Sequence, residues 1–117
     1  MKYKIVYLKE NFQDIASTYP SLIEMLYSSQ QNSYDTKQVE LLFKPLGQSK
    51  EKLLKMIQER DDYHYFHGVH QLNNPITDEN VTIKLNEFDI EVDEKSGNHV
   101  IFDIMRTFSK NFYMIMA

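Results

Sequence analysis

Between Val81 and Asp93 apolar and polar side chains alternate in two consecutive runs, and nothing else in the chain narrows its fold as much. Val81, Ile83 and Leu85 interleave with Thr82 and Lys84; Phe88, Ile90 and Val92 interleave with Glu87, Asp89, Glu91 and Asp93. A period of two marks a strand with one buried face. Closing the pair around Asn86-Glu87 sets Leu85 against Phe88, Ile83 against Ile90 and Val81 against Val92 on one face. The same register sets Lys84 opposite Asp89 and Thr82 opposite Glu91 on the other. Asn-Glu is a poor two-residue turn, because its second position wants glycine. The pattern therefore predicts a hairpin and its register, and leaves the loop type open.

The remaining segments are read against that hairpin. In residues 2–8, Tyr3, Ile5 and Tyr7 share one face while Lys2, Lys4, Val6 and Leu8 share the other, a strand with a polar start and a buried exit. Phe12, Ile15 and Ala16 begin a helical spacing, and Pro20 suits the first turn of a second helix carrying Leu22, Ile23, Leu26 and Tyr27, so the stretch is two short helices or one kinked one. Residues 28–33 read as a polar loop. Asp35 to Leu46 reads as a short helix, capped by Asp35 or Thr36 and stopped by Pro45. Val39, Leu42, Phe43 and Leu46 form its core-facing stripe, whereas Leu41 projects about 150° away, beside Gln38 and Pro45. Ser49 caps a helix over Lys50–Arg60 with Leu53, Leu54, Met56 and Ile57 as its apolar face.

Tyr63 to His67 is an aromatic strand, and Leu72 to Glu79 the main loop. Ser96-Gly97-Asn98 opens a last helix whose stripe is Val100, Ile101, Ile104, Met105 and Phe108. Phe112 to Met116 is apolar at every position, which predicts a strand buried on both faces and central in its sheet. The helical crossover makes it parallel to the 88–92 strand if both lie in one sheet. The expected fold is α+β, a single domain over residues 1–117. It has a mixed, mostly antiparallel sheet of about five strands with helices packed on it, in the order β-α-α-α-α-β-β-β-α-β.

Composition limits the functions open to such a domain. The 13 Lys and Arg are scattered within a chain of net charge −4, which is no nucleic-acid footprint. With no cysteine there is no thiolate nucleophile or thiolate metal site. The first residues lack a signal-peptide apolar region, and no run approaches the ~18 apolar residues of a membrane span, so a soluble, cytoplasmic protein is expected. His64, His67 and His70 are spaced by three; His64 and His67 would share a helix face but point to opposite faces of the expected strand, so a metal site there is the minority reading. Asp89, Glu91 and Asp93 suit the solvated face of an amphipathic hairpin better than a cation site. The Ser49-Lys50-Glu51-Lys52 run lacks the partner motifs of a serine–lysine enzyme, and the three glycines are too far apart to cradle a phosphate. No cofactor is implied. By elimination the chain reads as a binding module.

Local sequence matches give that module a family. Tyr7-Leu8-Lys9-Glu10-Asn11-Phe12, Ile23-Glu24-Met25-Leu26, Lys37-Gln38-Val39-x-x-Leu42-x-x-Pro45-Leu46, and a tail of acidic hairpin, Ile101–Met105 helix and apolar Phe112–Met116 strand occur in order. In these the chain resembles the SirA family, the sporulation inhibitor of replication proteins of low-GC Gram-positive bacteria. The resemblance implies a non-enzymatic inhibitor of replication initiation that occludes the N-terminal domain of the initiator DnaA. It maps the contact positions to Phe12, Gln38, Leu41 and Leu42. Ala16 stands where the family has a tyrosine, and Leu41 where an aromatic is familiar. The alternatives are a binding module with a different partner, or a metal-dependent enzyme using His64, His67 and His70. Whether the chain self-associates is left open.

Overall fold

The structure, a computed structural model, describes residues 1–12, 18, 43–74, 76, 79–95 and 99–116. Its centre is β1 (Lys2–Leu8), where the two-faced alternation is realised as read. Tyr3 and Ile5 are buried in one hydrophobic cluster with Tyr7 packed against it; Val6 and Leu8 are buried in a second. Both edges of β1 are occupied as well. One edge pairs with β6 (Asp89–Glu94) along Lys2–Val6 and with the two-residue β2 (Phe43–Lys44) at Tyr7 and Leu8; the other pairs with β7 (Phe112–Met116). A strand with both faces and both edges satisfied leaves no backbone group to solvent, and each buried aliphatic side chain contributes about 1.5–3 kcal/mol.

From β6 the sheet continues through β5 (Glu79–Leu85) and β4 (Val69–Asn74) to β3 (Tyr63–Phe66). Helices α1 (Gln48–Gln58) and α2 (Val100–Phe108) cover one face. They contribute Leu53, Ile57, Ile101 and Met105 to the cluster that holds Ile83, Ile90 and Val92. Met56, expected in the α1 stripe, is instead exposed.

This architecture overturns the expected fold class. Among the described residues there are seven strands and two α-helices and every strand pairing is antiparallel, so the sheet is not the mixed one of about five strands expected, and the expected element order is broken by strands at Phe43–Lys44 and Val69–Asn74. Three local corrections account for the difference. Val69–Asn74 is a strand that takes in Leu72–Asn74, the start of the expected loop, because buried His70 occupies an inward position that a polarity pattern counts as outward. Phe43–Lys44 is extended rather than helical, since Pro45 disfavours the helical conformation at Lys44 and the end of β1 offers a ladder partner. Phe112–Met116 is packed on both faces but is not central: among the described residues it pairs with β1 alone. It does run parallel to β6, with β1 lying between them. The hairpin register also shifts. Leu85 faces Ile90, Ile83 faces Val92 and Lys84 faces Glu91, because the turn is at Glu87-Phe88 and not Asn86-Glu87. The Asn86 N–H donates to the Asp89 carbonyl at 2.9 Å, and its side-chain amide donates to Asp89 Oδ1 at 2.6 Å and Glu91 Oε2 at 2.9 Å. Those bonds hold a turn with no glycine in it. The helices expected between residues 13 and 42 lie outside the described residues.

Candidate protein-binding surface

Of the four expected contact residues, Phe12 is the one the structure describes. It closes a 3-10 turn (Glu10–Phe12) directly after β1, with its N–H donating to the Lys9 carbonyl at 3.0 Å. The chain leaves β1 under control: the Leu8 N–H donates to the Asn111 carbonyl at 2.9 Å, tying the turn to the start of β7. The Phe12 ring is half-buried against the cluster of Val6, Leu8, Phe43 and Ile115, with Phe88 and Tyr113 around the same cluster. Phe43 reaches it because β2 pairs Leu8 with Phe43 and Tyr7 with Lys44. On the other face of β1 the Tyr7 ring is held edge-on to Phe112 at 4.5 Å, and Lys44 Nζ lies 5.5 Å from its centroid. Gln38, Leu41 and Leu42 lie outside the described residues. The end of the segment expected to carry them runs from β2 across the sheet's edge: Phe43 is buried in one cluster and Leu46 in the other, so they do not share one stripe.

Sequence reading missed the most buried polar group among the described residues. Glu94 is fully buried, and its Oε1 accepts the Tyr3 hydroxyl at 2.7 Å and the Ile101 N–H, in the first turn of α2, at 3.2 Å. The carboxylate thus ties β1, β6 and α2 together, at the helix end where the dipole favours a negative group. Burial, then the hydrogen bond and charge of Glu94, push the Tyr3 hydroxyl far above its ordinary value, so it remains a donor. The His99 ring stands edge-on to Tyr3 at 5.5 Å. Alternation gives the missing signal: Glu94 shares the parity of Ile90 and Val92, so extending β6 by one step turns it inward.

The three histidines do not converge. His70 is buried on the helix-facing side of the sheet, its Nδ1 2.7 Å from the Tyr63 hydroxyl, and desolvation holds its pKa below the ordinary histidine value. His64 lies on the opposite face, since it pairs with Gln71 and Tyr65 pairs with His70. His67 occupies the β3–β4 turn with a left-handed φ of 49°. Beside His64 a groove of about 630 Å³ is lined by Glu59, Asp61, Asp62 and Asn73. Its Asp62 is already clamped by Arg60 through bonds of 2.9 and 2.8 Å, which lower the carboxyl's pKa. Among the described residues no three His, Cys, Asp or Glu are placed to hold a metal. Glu91 and Asp93 lie on the outer sheet face with Lys2, Lys4 and Lys84, and Lys84 Nζ is 3.9 Å from Glu91, a face of mixed sign around a groove of about 300 Å³. No helix among the described residues is long and apolar enough to cross a membrane. No model of a known protein family matches the chain, and no curated protein matches it.

Proposed function

We propose that the chain is a cytoplasmic protein-binding module that acts by occupying a partner's surface rather than by catalysis. Its partner, as the resemblance to the SirA family implies, is the N-terminal domain of DnaA, and the consequence is inhibition of replication initiation. The observation that supports this reading is the seat of Phe12. An aromatic ring fixed by a turn at the end of the most constrained strand, half packed and half accessible, has lost most of its conformational freedom before a partner arrives. Such rings make effective anchors, because ordering them at binding costs little. The family reading rests on the local sequence matches and not on the four-helix order, which the fold corrects. Gln38 as a hydrogen-bonding group, with Leu41 and Leu42 as apolar contacts, completes the proposed interface.

The test is a calorimetric titration against the DnaA N-terminal domain of the same organism. Saturable one-to-one binding is expected. Leu41→Arg should weaken it by at least ~2 kcal/mol, roughly thirtyfold, by placing an unpaired charge in the contact. Gln38→Ala should cost ~0.5–1.5 kcal/mol as a lost neutral hydrogen bond. Absence of binding at about 100 μM would remove DnaA as the partner, since that concentration reveals any interaction stronger than about 5 kcal/mol.

A further inference from the structure

The sheet ends at β3, and that end is built for pairing. Tyr65 and Phe66 are 60% and 69% exposed, and among the described residues β3 pairs only with β4. Its turn consists of His67 and Gly68, both with positive φ (49° and 77°), as the type I′ hairpin requires. A two-residue turn of this kind closes on a hydrogen-bonded pair, here Phe66 and Val69. Antiparallel alternation then directs the backbone groups of His64 toward β4 and those of Tyr63 and Tyr65 away from it. The structure agrees at both neighbours. The Asp62 carbonyl accepts the Asn73 N–H at 3.1 Å, and the Tyr63 N–H, turned outward, is taken by the Arg60 carbonyl at 3.3 Å. At Tyr65 the outward N–H and C=O have no backbone partner among the described residues, a donor–acceptor pair open for docking.

We infer that β3 is a self-pairing edge, on which a second copy of this chain docks antiparallel about a two-fold axis through Tyr65. That register alone uses the outward N–H and C=O of Tyr65 reciprocally, each bonding its own counterpart. Moving the axis to His64 would instead rely on the Tyr63 N–H, which Arg60 occupies, and would bring the end of α1 into the partner. Centred on Tyr65, the pairing keeps inner face with inner face and outer with outer. Tyr65 meets Tyr65, and His64 meets Phe66, cross-strand aromatic pairs of a favourable kind. Charge also selects the site. The chain carries a net −4, yet Tyr63–His67 contains no Lys, Arg, Asp or Glu, so two copies meet here without like-charge contact between the paired strands. The edge also lacks the lysine, proline or bulge that usually blocks such pairing. A four-residue strand is a small contact, so the dimer is weak, with dissociation in the range of tens to hundreds of micromolar. The two-fold closes it, because each copy spends its single β3 edge.

Sedimentation equilibrium of the full chain from about 5 to 500 μM tests this. The expected result is a monomer–dimer equilibrium with no larger species, weakened at least tenfold by Tyr65→Lys and by Tyr65→Pro. The proline removes an N–H that β4 does not use, so the β3–β4 ladder survives it, and the lysine variant should keep the wild-type melting midpoint. A chain that stays monomeric throughout, a dimer indifferent to Tyr65→Lys, or open-ended polymers would each overturn the proposal.

Discussion

β1 and β3 belong to one sheet and have opposite circumstances. β1 is flanked by strands on both edges and buried on both faces, with Ile5 and Val6, adjacent residues pointing opposite ways, both fully buried. Among the described residues β3 has one edge paired, and both Tyr65 on the inner face and Phe66 on the outer are exposed. Aromatic content alone would rank β3 as the more core-like of the two. What separates them is topology: α1 reaches β3 at its Tyr63 end, where Tyr63 packs against the helix-covered cluster, and Tyr65 and Phe66 project past that cover. Hydrophobicity sets which residues seek burial, and position in the sheet decides which obtain it.

The comparison can be broken most directly by truncation. Phe43→Ala, beneath β1 and fully buried, should cost ~3–5 kcal/mol by urea unfolding, and Ile5→Ala ~2–5 kcal/mol, through cavities that cannot refill. Tyr3→Phe should cost ~1–3 kcal/mol, because Glu94 then keeps a buried carboxylate with only the Ile101 N–H. The same variant sharpens the alkaline side. The folded Tyr3 hydroxyl titrates far above its unfolded value near 10, so the native state holds a proton that the unfolded state gives up. Stability should be complete below pH ~10 and decline above it, by at most about 1.4 kcal/mol per pH unit, and Tyr3→Phe should flatten the decline.

On the acid side the sign reverses. His70 is held neutral by burial, so the unfolded chain binds its proton first and stability should fall as pH drops below ~6.5. A smaller loss is expected than from Tyr3, and a His70→Gln variant should remove it. Tyr65→Lys, at the open end, should change stability by no more than ~0.5 kcal/mol. If it cost as much as Ile5→Ala, the contrast between the two strands would be wrong.

The sequence made the β1 end readable, because there alternation and burial coincide. Tyr3 and Ile5 against Val6 and Leu8 foretold two faces, and Ile83, Ile90 and Val92 foretold the shared inner face of the hairpin. Its register escaped because the turn is held by Asn86 side-chain bonds rather than by a glycine. β4 escaped because His70 is a polar residue made burial-tolerant by Tyr63. The same blindness hid Glu94, which pairs with Tyr3 across 91 positions of sequence. Of the candidate site, Phe12 was legible as an apolar residue at the first turn after β1. Its seat was not, because the spacing around Phe43 is helical whereas Phe43 reaches the cluster as a strand residue.

Residue-resolved amide hydrogen exchange in dilute protein, at about 10 μM where a weak dimer is dissociated, tests the contrast most directly. The account predicts that Ile5 and Val6 exchange only through global unfolding, that the β7 amides paired to β1 exchange more readily, and that Tyr65, with its N–H turned away from β4, exchanges faster than either. Protection at Tyr65 equal to that at Ile5, or a β7 slower than β1, would contradict it.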